Sequence, residues 1–278
     1  NPAPQGFPAA MAATLMGATE IFGMAGGSAR QFVVGPVIAA GVPWSRFWIF
    51  MGVAGLVIGT LLYLLLPAEE PKQGGDWLKG AVRAMGRVLR NPQSILCGMI
   101  AGLLFIPTTI FDMIWGVRYL QEAHGFEYGS AVMRSASVPL GWIIGCPLLG
   151  FLSDRFGRRK PVIAAGALVL LACLAFILYG PPGLFPPYVL GVTAGVASGA
   201  AMLPYTVIKE ANPPEVGGTV TGVVNFLNFK FRALLGPVFG WTLRTVSGES
   251  ASMTLGHSQA AFQPLLYGVG LAVVLVFF

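Results

Sequence analysis

Five ionisable side chains, Glu20, Arg30, Asp112, Lys230 and Arg232, stand inside stretches of sequence otherwise built for lipid. An unpaired charge at hydrocarbon depth costs at least about 2.5–3.5 kcal/mol, so each is expected to face a water-filled cavity or a partner. In "VVNFLNFKFRALLGPVFG", residues 223–240, two cations flank a single phenylalanine. Helical spacing assigns them to different faces. Thr221, Asn225, Asn228 and Arg232 follow one another at four, three and four residues and form one polar stripe. Lys230 is turned from Arg232 by about 200°. The stripe suits a cavity in which Arg232 holds an anionic group through its planar fork of donors. Thr221, Asn225 and Asn228 stand beside it, and Arg30, Trp115 and Trp142 are candidates to complete the wall. Lys230 is expected to meet a carboxylate or backbone oxygens at a helix contact. Glu20 and Arg30 are ten residues apart, about 15 Å along a helix, and too distant to pair with one another. Glu20 and Asp112 are candidates for carrying a proton or neutralising a cation, because a carboxylate at that depth keeps its charge only with a partner.

These residue types, spaced as they are, suit binding and charge neutralisation. An enzyme would need a nucleophile with a base, or metal ligands, converging at one depth. His124 and His257 lie far apart in expected outer loops, and Cys97, Cys146 and Cys173 each fall in an apolar run as small packing residues. No cofactor and no metal are expected, and the reading is of a protein that is not an enzyme.

The elements that must position the stripe are membrane helices. Of the 278 residues 55% are apolar and 10% charged, against about 25% charged in soluble domains, and mean hydropathy is +0.73. Spans are expected at about 8–40, 46–66, 94–120, 130–152, 161–180, 186–208, 216–244 and 258–278. The net charge of +6 is distributed as the positive-inside rule requires and does not call for nucleic acid. With the 67–93 linker in the cytoplasm, that side receives Lys72, Lys79, Arg83, Arg87, Arg90, Arg155, Arg158, Arg159, Lys160 and Lys209, while Arg46, Arg118, Arg134 and Arg244 lie at the other ends. In "KGAVRAMGRVLR" the cations Lys79, Arg83, Arg87 and Arg90 share one face and Val82, Met85 and Leu89 another, the pattern of a helix lying on anionic lipid at residues 79–90. Gly191, Gly195 and Gly199 are four apart in "GVTAGVASG" and admit a close helix neighbour, a spacing repeated at Gly23 and Gly27, Gly55 and Gly59, Gly218 and Gly222, and Gly236 and Gly240. "GPVIAAG" at 35–41 and "GPVFGWT" at 236–242 recur in the first and seventh spans, as a six-helix repeat would place them.

Between the fourth and fifth spans stands "GFLSDRFGRRKP", residues 150–161. A basic turn that only sets topology accounts for its cations but not for Gly150, Asp154 and Gly157 at these intervals. The segment resembles the loop motif of the major facilitator superfamily: a glycine, an aspartate four residues on, then Arg, Gly and two further basic residues. That resemblance implies an all-α integral membrane bundle. Residues 1–66 would be the last two helices of the N-terminal half, 67–93 the cytoplasmic linker, and 94–278 the six-helix C-terminal half with its last helix cut short. Four helices would precede this chain, which starts at Asn1 without a methionine. The family likeness implies a secondary transporter working by alternating access, multi-pass in a bacterial inner membrane and monomeric. Gly150, Asp154, Arg155, Gly157, Arg158 and Arg159 would form a latch on the cytoplasmic face. Asp154 is expected to sit against the positive N-terminus of the first span, near Phe7 to Ala10. Three cations against two carboxylates at depth favour a small organic anion, a carboxylate or sugar acid, with protons as a possible coupling ion. Proton-driven efflux of amphipathic compounds is the alternative, and a non-transporting sensor on the same fold a third.

Overall fold

The computed structural model describes residues 12–29, 33–34, 37–38, 40–65, 77–181, 188–248 and 254–278. They form helices and connecting turns with no strand among them. Helix α1 is Ala12–Ala29, α2 is Trp44–Leu65 and α3, in the linker, is Trp77–Arg90. The third expected span is one continuous rod, Pro92–His124. It comprises α4 (Pro92–Ile106), a π-helical segment (Pro107–Trp115) and α5 (Gly116–His124). Pro107 opens the π segment, where its missing N–H and its ring disrupt the α register and the backbone widens instead of breaking. Then come α6 (Tyr128–Phe156), α7 (Arg159–Tyr179), α8 (Val189–Ser198), a short 3₁₀ turn (Gly199–Met202) and α9 (Leu203–Glu210). Helices α10 (Gly217–Ser247) and α11 (Leu255–Leu275) complete the chain.

Six helical segments among the described residues are long and apolar enough to cross a membrane: Trp44–Leu65, Pro92–His124, Tyr128–Phe156, Arg159–Tyr179, Val189–Glu210 and Leu255–Leu275. Helix α10 is not among them although its 31 residues give it a length of about 46 Å. The asparagines and Arg232 of its stripe, together with Lys230, dilute its apolar character.

The core lies between α1, α4, α6, α7, α8, α9, α10 and α11, with Trp142, Tyr119 and Phe262 as its largest fully buried side chains. Helix α6 packs most extensively, on α1 along one side and on α8 along the other. The α6–α8 contact is a glycine ladder: a Cβ at Gly141 or Gly145 would strike the backbone of α8, and one at Gly195 or Gly199 the backbone of α6. The expected close neighbour of Gly191, Gly195 and Gly199 is therefore α6. Gly55, Gly59, Gly218, Gly222, Gly236 and Gly240 meet nothing within 4 Å, so their spacing serves no contact among the described residues. Helix α2 buries none of its residues and presents Trp44, Phe47 and Trp48 as a ring cluster at one end. The linker helix α3 is seated by Val88, wholly buried against the bundle, and leaves Val82 and Met85 exposed. Of the internal echo, residues 35, 36 and 39 lie outside the described residues.

Candidate functional site

The motif at 150–161 is positioned by the meeting of α6, α7 and α1 at one end of the bundle, the end that carries the basic loop. Helix α6 stops at Gly157, whose φ of 61° is left-handed and whose N–H donates to the Asp154 carbonyl. Gly150, two turns earlier, lets α1 approach until a Cβ there would meet the Ala13 carbonyl and the Thr14 Cα. Those two glycines bring Asp154 to the first turn of the described part of α1. Thr14 donates to Asp154 Oδ2 twice, from its backbone N at 2.8 Å and from its hydroxyl at 2.7 Å. Arg159 Nη1 donates to Asp154 Oδ1 and to the Ser153 hydroxyl, and Arg159 Nη2 donates to Glu210 Oε1 at 2.9 Å on the last residue of α9. The Asp154 side chain is 7% exposed and that of Arg159 18%. The result is a charged clasp that ties α1, α6, α7 and α9 together.

The position reached on α1 is Thr14, not the Phe7 to Ala10 stretch, which lies outside the described residues. Of the motif's cations, Arg159 alone enters the clasp among the described residues; Arg155 and Arg158 are exposed. A second polar cluster adjoins it. Asn91 caps α4 by accepting from Gln93 N, and its amide donates to the Ala211 carbonyl at 2.9 Å. Asn212 donates to Ser94 Oγ at 2.9 Å and to the Ile208 carbonyl at 2.8 Å.

Inside the bundle, Tyr205 on α9 reaches the stripe of α10. Its hydroxyl donates to Asn225 Oδ1 at 2.9 Å and accepts from Asn228 Nδ2 at 3.2 Å. Asn228 is buried, and its Oδ1 has no hydrogen-bond partner among the described residues. Asn225 is exposed; Thr221 is half-buried, and its hydroxyl donates to the Gly217 carbonyl. The stripe is thus closed on one side by a tyrosine. The side chain of Arg232, and Arg30 as a whole, lie outside the described residues. Lys230 is exposed and has no ion pair among the described residues, so the partner expected for it is not found there.

Asp112 sits in the π segment and is buried, accepting from the Ser135 hydroxyl at 2.8 Å. Glu20, half-buried on α1, lies 3.5 Å from where a Cβ on Gly23 would stand. Trp115 is half-buried with its ring 4.9 Å from that of Phe239 and the Arg118 guanidinium 5.7 Å from its centroid. Trp142 does not form a cavity wall: it is fully buried, stacks edge-on with Phe105 and donates from Nε1 to Thr108 Oγ1 at 2.9 Å. Cys97, Cys146 and Cys173 are free thiols buried in the bundle.

Apolar helices long enough to cross a bilayer, polar groups inside the bundle and a charged clasp at one end define a multi-pass membrane bundle. The chain belongs to the Major Facilitator Superfamily, whose family model matches residues 7–237. It is 28% identical over 259 residues to a probable transporter of Streptomyces coelicolor, covering 89% of this chain and 58% of that protein. The gentisate transporter of Corynebacterium glutamicum is 34% identical over 105 residues, 37% of this chain and 23% of that one. The arabinose-proton symporter of Bacillus subtilis is 33% identical over 108 residues, 38% of this chain and 23% of its own. The chain spans a little over half the length of the first of these relatives.

Proposed function

We propose that this chain is the greater part of a secondary transporter that moves a small hydroxylated organic anion through an inner membrane by alternating access. The observation that carries the anion reading is the stripe on α10. Arg232 follows Asn228 by four residues and so shares its face, while Asn228 Oδ1 is a buried acceptor still to be satisfied. An arginine on the face of a carbonyl acceptor that has no partner among the described residues suits a solute with a carboxylate and a hydroxyl, since a buried acceptor left empty costs about 1–3 kcal/mol. The similarity to a gentisate transporter supports the same class, since gentisate is a hydroxylated carboxylate. Asp112 and Glu20 are the residues assigned to proton coupling or charge pairing, and the Asp154 clasp to holding the basic end shut, with that end in the cytoplasm.

The similarity to an arabinose-proton symporter favours a second reading, a neutral sugar held by Tyr205, Asn225 and Asn228 without the cation. Proteoliposomes containing the full-length protein separate the two. Under the first reading gentisate is taken up or competes, and Arg232→Gln weakens its binding by roughly 1.5–3 kcal/mol, the scale of a charge-assisted hydrogen bond. Lys230→Gln spares affinity. Arabinose uptake that Arg232→Gln leaves intact would replace the first reading with the second.

A further inference from the structure

A cavity of about 270 Å³ opens among the starts of α4 and α7, Pro204 and Val207 of α9, and the end of α11, towards the basic end of the bundle. Its inner wall is aliphatic, formed by Leu96, Ile100, Ile163 and Val207, and its mouth carries Arg159 and Lys160. The span from α4's first turn to Ile100 puts the floor roughly 10 Å below the mouth. Arg159 is already engaged by Asp154 and Glu210. Lys160 is exposed and has no hydrogen-bond or ion-pair partner among the described residues.

We infer that this cavity is a phospholipid site that takes part of one acyl chain of an anionic lipid, with the phosphate at Lys160. Three observations point to that occupant. The lining is largely apolar, which suits an acyl chain. The free cation stands at the mouth and not within, which suits a head that stays at the interface. The mouth also lies at the level of Arg155, Arg158 and the basic face of α3, the depth at which anionic headgroups gather on the positive side of a membrane. A lipid seated here would rest against the same Arg159 that closes the clasp, so its presence would favour the clasped arrangement.

The site is tested by native mass spectrometry of the full-length protein titrated with dioleoyl phosphatidylglycerol, with dioleoyl phosphatidylcholine and oleate run in parallel; this readout is independent of transport. The wild-type protein is expected to retain one phosphatidylglycerol in preference to phosphatidylcholine. Lys160→Gln should weaken that retention about fivefold, the effect of one surface cation on an anionic lipid. Ile163→Trp, which fills the cavity from its wall, should abolish it. Replacing Lys79, Arg83 and Arg87 together by glutamine should leave the single tight lipid in place, because those cations lie on α3 and not at the mouth. Retention unaffected by Lys160→Gln, or loss confined to the α3 variant, would overturn the proposal. Tight retention of oleate without phosphatidylglycerol would show a free fatty acid site and overturn it equally. If Ile163→Trp does not fold, the Lys160→Gln titration alone decides.

Discussion

Asp154→Asn perturbs the clasp while leaving the shape of its side chain nearly unchanged. Asp154 Oδ2 receives both Thr14 donors and Oδ1 receives Arg159. An asparagine has one acceptor oxygen and one donor nitrogen, so it can serve Thr14 or Arg159 but not both, and its NH₂ group then faces a donor. The structure therefore predicts the loss of at least one hydrogen bond to a charged group, about 1.5–3 kcal/mol, little discounted by solvent because the Asp154 side chain is 7% exposed. If the clasp exists only in the form closed at the basic end, the equilibrium toward opening shifts by roughly 10- to 150-fold. Cys146 supplies an assay. Its thiol is 1% exposed, and its backbone lies where a Cβ on Gly17 of α1 would stand. Separation of α1 from α6 uncovers it, and its rate of alkylation by a membrane-permeant maleimide, followed by peptide mass spectrometry, should rise in that proportion. Solute affinity measured on the same preparation should change no more than severalfold while uptake slows. Unchanged Cys146 labelling together with a collapse in affinity would refute the reasoning and make Asp154 a binding residue.

Glu210→Gln removes the weaker arm of the same clasp: its side chain is 50% exposed, so the loss should stay within about 1 kcal/mol and its melting temperature should lie between those of wild type and Asp154→Asn. Gly145→Val places a side chain against the Val196 backbone, which cannot yield, and should destabilise by about 1–3 kcal/mol. Gly222→Val, in open space, should shift the melting temperature far less. Asn212→Ala strands the Ser94 hydroxyl and the Ile208 carbonyl; a loss of about 1–3 kcal/mol, read as a lower melting temperature, is expected if that cluster fastens α4 to the end of α9.

The helices were legible because lipid admits so few solutions. Uncharged runs of sufficient length had to be spans, and observed ends such as Arg159 and Leu275 lie within about three residues of those expected. The loop motif was legible because Gly150, Asp154 and Gly157 are tied to one another locally, by helix termination and close approach. What the motif reaches was not. Thr14 lies 140 residues from Asp154, Glu210 lies 51 from Arg159, and Ala211 lies 120 from Asn91; no periodicity within one helix marks a partner on another. The π segment was hidden for a related reason. Pro107 announces a disturbance, but whether the backbone kinks or widens depends on neighbours that accept the wider turn. Tyr205 escaped notice because its own helix has no polar stripe: its significance arises only from the two asparagines it joins on α10. The place of Trp142 was not legible because an indole serves equally well as cavity wall or core, and the hydroxyl that it meets, Thr108, is 34 residues away.

The positions that sequence could not connect form the path by which the two parts of the site would communicate. The α1–α6 contact includes two close approaches of glycine to backbone, Gly17 against Cys146 and Gly150 against Ala13, and the polar groups of the clasp lie at its end. Those groups reach beyond α1 and α6. Arg159 shares its guanidinium between Asp154 and Glu210, and Glu210 ends the short helix that carries Tyr205 five residues earlier. A displacement of α9 by a solute drawing Asn228 away from Tyr205 would therefore be felt at Glu210, one and a half turns along, and through Arg159 at Asp154. Each link is a hydrogen bond or a helical segment, a contiguous path that would carry a coupling if both sites bias the position of α9. Under the proposed function, occupation of the stripe and release of the clasp would be two readings of one displacement of α9, with Tyr205 and Arg159 as its two joints.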